Sequence, residues 1–225
     1  MNAKKAAGVA AAELIKDGMT VGLGTGSTAY WAIKKIGEKI RQGLRISVIA
    51  TSKESERLAR EVHIPIVNFS EISRIDVTID GADEADPELN LIKGGGGALL
   101  REKIIAAASE KLIVIVDDTK LVKKLGKFPL PVEAVSFGVE NTLLRIEELG
   151  CKPEIRMTDG NERYITDNGN YIIDCGFGSI KDPERISRDL NQIPGVVENG
   201  LFINMAHKMI VGYGTGRVEV MVKNK

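Results

Sequence analysis

The sequence predicts an α/β protein, an open parallel sheet with helices between its strands, followed by a smaller α+β domain. Three observations predict it. Thr20-Val-Gly-Leu-Gly24, Thr25-Gly-Ser-Thr28 and Ala29–Ile40 read as strand, glycine loop and helix in immediate succession. The apolar runs Asp76–Asp80 and Lys111–Val116 lack the alternation of a half-solvated strand and read as strands buried on both faces, as in parallel sheets. Residues 132–203 then read β-α-β-β-α-β, the order of a ferredoxin-like domain.

Composition narrows the partners. The 225 residues suffice for one or two domains with a sizeable core, and the 31 Lys and Arg balance the 31 Asp and Glu. No overall basic field therefore exists to hold nucleic acid or an anionic membrane, and partners are expected to be small molecules or protein. Cys151 and Cys175 are the only cysteines, without CxxC spacing, which argues against a disulfide framework or thiolate zinc and for a reducing, cytoplasmic compartment. Met1–Glu13 has a faint likeness to a signal peptide, but Glu13 and Lys16 interrupt it, and it reads as an amphipathic helix ending near Gly18.

The loop Thr25-Gly-Ser-Thr28 suits a phosphate, because backbone amides and hydroxyls converge where a helix N-terminus adds positive potential. It has no lysine before its Ser/Thr and so is not a Walker A loop. A dinucleotide is the rival, since Gly22-Leu-Gly24 and Ser27 nearly complete GxGxxG. The next strand, Arg45–Ala50, ends in Thr51-Ser52 rather than in an acid for a ribose hydroxyl, which favours a phosphate monoester. Thr51-Ser-Lys-Glu54 reads as a capping-box start for a helix Lys53–Val62, its hydroxyls alternatively facing a ligand. Ile64–Phe69 reads as a further strand, followed by a short polar helix.

Most of the chemistry is concentrated between Asp76 and Lys103. The strand Asp76–Asp80 ends at Gly81, which places Asp80 and Asp83 at the carboxyl edge of the sheet, where ligands of open α/β proteins bind. Leu89–Lys93 reads as a short strand, and Gly94, Gly95, Gly96 and Gly97 lead into the helix former Ala98-Leu-Leu-Arg-Glu-Lys-Ile-Ile-Ala-Ala-Ala. Such a glycine run permits close backbone approach to a ligand, with amides free to donate at the positive end of a helix. Glu102 in the first turns combines a favourable helix dipole with burial, the setting of a general base; pairing with Arg101 or Lys103 on a solvated face is the alternative. Past the strand Lys111–Val116, Lys120 is placed to face the same ligand or solvent.

Pro129 and Pro131 mark a domain boundary. Beyond it the pattern gives strand Val132–Phe137, helix Glu140–Leu149, strand Glu154–Met157, a hairpin of Arg163–Thr166 and Tyr171–Cys175 about Asp167-Asn-Gly-Asn170, a helix from Asp182-Pro183 to Gln192, and strand Val196–Ile203. Lys208–Val211 and Val218–Val222 rejoin the first sheet. His63 and His207 read as structural. Asp80, Asp83 and Glu84 offer a Mg²⁺ site through substrate phosphates, less favoured because Lys93 and glycine amides already compensate charge. Tyr30 and Trp31 read as packing residues. A phosphate loop, two aspartates, a lysine and a carboxylate base fit proton transfer on a small phosphorylated carbonyl compound.

Gly24-Thr-Gly-Ser-Thr28, Asp80-Gly-Ala-Asp83, Lys93-Gly-Gly-Gly96, Arg101-Glu-Lys-Ile-Ile-Ala106, Lys120, Gly126-Lys-Phe-Pro-Leu-Pro-Val-Glu133, Thr166-Asp-Asn-Gly-Asn170 and Ile193-Pro-Gly-Val-Val197 together resemble ribose-5-phosphate isomerase, type A, across nearly the whole chain. Gly97 and Leu100 depart from its pattern outside these motifs. The resemblance implies interconversion of ribose 5-phosphate and ribulose 5-phosphate without metal or organic cofactor, and a homodimer or homotetramer. It implies a Rossmann-like catalytic domain, 1–126 with 204–225, and a ferredoxin-like lid, 127–203. Glu102 becomes the proton-transferring base. Thr25, Gly26, Ser27, Thr28, Asp80, Gly81, Ala82, Asp83, Lys93, Gly94, Gly95, Gly96 and Lys120 become substrate-binding, with Lys4 joining the phosphate loop. Two rivals remain, a sugar-phosphate sensor without catalysis and a CoA transferase-like enzyme with Glu102 as nucleophile.

Overall fold

The computed structural model describes residues 2–223. In chain order its elements begin α1 (Ala3–Ala12), β1 (Thr20–Leu23), α2 (Ala29–Arg41), β2 (Ser47–Ala50), α3 (Lys53–Glu61) and β3 (Val77–Gly81). They continue β4 (Glu84–Ala85), β5 (Leu91–Ile92), α4 (Leu99–Ala107), β6 (Leu112–Asp117), β7 (Leu130–Ala134), α5 (Val139–Glu147) and β8 (Lys152–Ile155). The last are β9 (Tyr171–Gly176), α6 (Pro183–Asn191), β10 (Val196–Asn199), β11 (Leu201–Phe202), β12 (Ala206–Gly212) and β13 (Val218–Val222). The described residues divide into two compact units: one holds 2–82, Arg101–Leu121 and 204–223, the other Asp83–Leu100 and Val122–Ile203.

The first unit is built on a six-stranded sheet in the order β13-β12-β6-β3-β1-β2. β2, β1, β3, β6 and β12 run parallel, and β13 closes the edge antiparallel to β12. All six residues of β6 are buried, as its uninterrupted apolar run requires of a strand covered on both faces. Each fully buried Ile or Val contributes about 1.5–3 kcal/mol. The chain leaves β1 for β2 on one side and returns to β3 on the other, so the order reverses between β1 and β3. Ligands of doubly wound sheets bind beyond the carboxyl ends at such a reversal, and the loops after β1 and β3 start at Gly24 and Ala82.

Small residues set how close α1 lies to α2. A Cβ added at Gly8 would come within 2.8 Å of Ala32 N and Trp31 Cβ, and Ala7, Ala11 and Ala12 are fully buried. The sequence predicts this helix to Gly18; it stops at Ala12 because Lys39 Nζ takes over the terminal carbonyls, donating to Ala12 O at 3.0 Å and Ile15 O at 3.2 Å. The strand predicted over Ile64–Phe69 is absent. Only Ile66 bridges to Val48, and the chain turns into a 3-10 turn at Phe69–Glu71. Pro65 cannot donate to a ladder, which confines this segment to the edge. α3 starts at Lys53 as predicted, but Ser52, not Thr51, caps it by accepting from Ser55 N, and Glu54 pairs with Arg57.

In the second unit β7-α5-β8-β9-α6-β10 form a sheet of order β10-β7-β9-β8, all antiparallel, the ferredoxin-like arrangement expected. Asp182 caps α6 by accepting from Arg185 N, with Pro183 in the first turn. The predicted strand Val196–Ile203 breaks at Gly200. Its first half pairs with β7, while β11 joins β5 and β4 in a separate three-stranded sheet. A Cβ at residue 200 would lie 2.2 Å from Lys93 O, so only glycine lets the chain cross there. This pairing groups residues 83–100 by packing with 122–203, whereas the sequence places them in the larger domain.

Candidate active site

In the first unit the loop after β1 is fastened to the loop after β3 through one carboxylate. Asp80, 1% exposed, accepts at Oδ1 from Thr25 N (3.0 Å) and Gly81 N (2.7 Å). Gly24 makes room for it, since a Cβ there would sit 2.1 Å from Asp80 Oδ1 and 2.5 Å from Asp80 Cα. Thr25 turns its hydroxyl away from solvent, donating to Ser52 Oγ at 2.8 Å within a buried set that includes Thr51 and Ser55. Ser55 Oγ in turn donates to Gly24 O at 2.7 Å. Thr51, Ser52 and Ser55 thus brace the loop from behind. The Ser/Thr run after β2 was the signal for this, and its hydroxyls go to the loop.

Ser27 and Thr28 complete the phosphate-type loop. Gly26 adopts φ +101°, and Ser27 Oγ accepts from Lys4 Nζ at 2.9 Å, bringing α1 to the loop as the sequence suggested. Thr28, at the N-cap of α2, makes no side-chain capping bond, while Tyr30 N donates to Gly26 O at 2.9 Å and Trp31 N to Thr28 O at 3.1 Å. Amides, hydroxyls and an ammonium at a helix N-terminus make an anion site.

Glu102 lies in the first turn of α4 and is 5% exposed, which excludes the solvated-face alternative. Lys120 ends a 3-10 turn, Asp118–Lys120, that Asp117 caps by accepting from Thr119 N at 3.1 Å. His207 is structural: its Nδ1 accepts from Leu112 N at 3.2 Å.

In the second unit Asp83 meets the glycine run, Gly95 N donating to Asp83 Oδ2 at 2.7 Å. The sequence expectation that the glycine amides stand free needs correction, because Gly97 N also closes on Gly94 O at 2.9 Å. The glycines are required sterically as well as conformationally: Gly94 and Gly97 have φ +105° and +74°, and a Cβ at Gly97 would lie 2.3 Å from Tyr164 Oη. Arg156 donates to Gly94 O and Gly95 O, and Tyr164 Oη to Gly96 O at 3.3 Å. Burial pushes the Tyr164 hydroxyl above its usual range, so it stays a donor. Neither residue is signalled in the sequence, since each acts through backbone atoms far along the chain.

Lys93 is 2% exposed, its Nζ 5.3 Å from the Phe202 ring centre. Both Glu84 carboxylate oxygens face backbone of the same unit, accepting from Gly126 N at 2.7 Å and Phe128 N at 2.6 Å. Among the described residues no group of three or more His, Cys, Asp or Glu is arranged to hold a metal ion. Among the described residues no helix is long and apolar enough to cross a membrane.

Comparison with known proteins matches residues 47–216 to the family described as ribose 5-phosphate isomerase A (phosphoriboisomerase A). The ribose-5-phosphate isomerase A of Bacillus mycoides (strain KBAB4) is 54% identical over 217 residues, covering 96% of this chain and 98% of that one. The solved ribose 5-phosphate isomerase A of Methanocaldococcus jannaschii is 42% identical with a TM-score of 0.93 over 98% of both chains. A D-ribose-5-phosphate isomerase solved in complex with phospho-erythronic acid is 43% identical with a TM-score of 0.94, covering 99% of this chain and 100% of that one.

Proposed function

The chain belongs to the ribose 5-phosphate isomerase A family and is an aldose–ketose isomerase of D-ribose 5-phosphate and D-ribulose 5-phosphate, and we propose that Glu102 is the base that carries the proton. The observation that carries the assignment is a carboxylate buried to 5% exposure in the first turn of the helix that directly follows a glycine turn. Burying a carboxylate costs free energy that a surface residue does not incur, and proton transfer from carbon gives that burial a use.

The roles follow from the chemistry of each group. Gly26, Ser27 and Thr28, through the amides and hydroxyls of their loop, hold the phosphate with Lys4 at the positive end of α2, and Lys120 adds charge. Asp80 and Asp83 assist ring opening and shuttle the hydroxyl proton from O2 to O1. Glu102 removes the proton from C2, the electron pair of that bond forms the C1–C2 double bond, and the carbonyl oxygen at C1 takes up the negative charge. Lys93 and the glycine turn donate to that enediolate. Glu102 then returns its proton to C1 and the carbonyl re-forms at C2.

The homologue holding phospho-erythronic acid supports a phosphorylated four- or five-carbon acid or sugar as the ligand class. A homodimer or homotetramer is part of the reading, supported by apolar side chains left exposed at Phe137, Leu144, Val220 and Val222. A cytoplasmic location is supported by the two free cysteines. The test is incubation with ribose 5-phosphate in heavy water, followed by NMR. Ribulose 5-phosphate formation with deuterium entering at exchanged carbon is expected; a covalent thioester with acyl-CoA and no ketose would support the transferase reading instead.

A further inference from the structure

One guanidinium organises the glycine turn. Arg156 Nη1 donates to two successive carbonyls, Gly94 O and Gly95 O, each at 3.0 Å. Successive carbonyls of an extended chain point to opposite sides, so this convergence is not a default backbone state. Gly94, at φ +105°, supplies the conformation, and the cation offsets the crowding of two carbonyl dipoles.

A trans peptide sets its N–H opposite its C=O, so each carbonyl turned to one side presents an amide on the other. The Gly94 carbonyl pairs in this way with the Gly95 amide, which reaches Asp83 Oδ2 at 2.7 Å. The Gly96 carbonyl, held by Tyr164, pairs with the Gly97 amide, which closes on Gly94 O. Between them the Gly95 carbonyl, held by Arg156, pairs with the Gly96 amide, and Gly95 and Gly96 are both exposed. Arg156 and Tyr164 thus hold the carbonyls of Gly94, Gly95 and Gly96, Gly97 N–H folds back onto Gly94 O, and the peptide whose carbonyl Arg156 fixes at Gly95 directs the Gly96 N–H away from the guanidinium.

We propose that Arg156, locked by Asp174, is a positioning residue for the isomerisation, aiming the Gly96 N–H at the oxygen where enediolate charge develops. The inference rests on the reading of the glycine turn as a donor to that oxygen. Asp174 takes both remaining edges of the guanidinium, from Nε at 2.8 Å and Nη2 at 2.5 Å, in the bidentate geometry that fixes its plane. Tyr164 lies beneath, its ring centre 5.8 Å from Arg156 Cζ, and the Arg156 side chain is 14% exposed. A lysine would bring one charge but no fork, and could not hold Asp174 and two carbonyls together.

The experiment compares wild type, Arg156→Lys, Arg156→Ala and Glu102→Gln for ribose 5-phosphate kinetics and for inhibition by phospho-erythronic acid, with and without millimolar guanidinium. Both Arg156 variants are expected to lose roughly tenfold to a hundredfold in kcat, less than removal of an oxyanion donor at its largest, with KM shifted by no more than about threefold. Guanidinium restores turnover to Arg156→Ala, and methylammonium does not. The inference is overturned if kcat stays within about twofold, or if lost turnover is not restored and KM rises in step, the mark of a loosened fold. If Arg156→Ala does not fold, the kcat-against-KM split of Arg156→Lys decides. A wild type without isomerase turnover, or an active Glu102→Gln, removes the underlying reading; intact turnover in the Arg156 variants removes this inference alone.

Discussion

Asp80 Oδ1 accepts from Thr25 N at 3.0 Å, joining the two loops at the point where the strand order reverses. An asparagine keeps an acceptor at that atom but cannot take a proton. Asp80→Asn is expected to melt within a few degrees of wild type while losing activity by about two orders of magnitude, the scale of general acid–base catalysis. Asp80→Ala loses the acceptor as well and is expected to lower stability by about 1–3 kcal/mol. Thermal melts beside initial rates separate the two, and an active Asp80→Asn would remove Asp80 from the proton path.

Glu102→Gln retains the shape and burial of the side chain and removes its basicity. Turnover is expected to fall by about 10²–10⁴ with KM nearly unchanged. Near-normal turnover in this variant dismisses Glu102 as the base.

Gly24→Ala tests the fit at the loop from the other side. Its methyl would stand 2.1 Å from Asp80 Oδ1, and Asp80 backbone at 2.5 Å leaves no direction for easy relief. The expected cost is about 1–3 kcal/mol of overpacking together with loss of substrate binding. Calorimetry and KM check it; a stable variant with normal KM would show that the loop does not need its observed position.

Lys4→Ala removes the ammonium from Ser27, leaving the loop otherwise intact. KM for ribose 5-phosphate is expected to rise several-fold, more at low ionic strength, where a charge on a phosphate is least screened. A KM independent of both the substitution and salt would exclude Lys4 from the phosphate site.

The cysteines predict a reactivity order. The hydrogen bond to Cys151, and then burial, hold the Cys175 thiol well above the usual cysteine range, while the same bond lowers Cys151. Because the thiolate is the reactive form, native protein at pH 8 is expected to be alkylated at Cys151 before Cys175, and Cys175 only on unfolding. Peptide mass spectrometry after timed iodoacetamide treatment reads the order, and early labelling of Cys175 contradicts it.

Buried parallel strands and glycine loops were legible because their patterns are local. Thr20–Leu23 and Leu112–Asp117 are apolar without alternation, and the Thr166–Asn170 turn carries its own residues. Ile64–Phe69 misled because an apolar run does not reveal whether a neighbour offers an edge to pair with. Val196–Ile203 misled because its break depends on Lys93 O, contacted at Gly200 from far along the chain. The candidate site residues Asp80, Asp83, Lys93 and Glu102 stood out as ionisable groups among glycines. Arg156, Tyr164 and Asp174 did not, since their targets are carbonyls, and backbone carbonyls have no signature in sequence.

β6 receives β3 on one side and β12 on the other, and β12 begins only at Ala206. During synthesis at about 5–20 residues per second, the ribosome must make the whole of Val122–Ile203 before β12 emerges, so for several seconds the nascent chain carries an apolar strand with one open flank. The final two strands act as a latch on the sheet, and truncating them is expected to leave a product that chaperones retain.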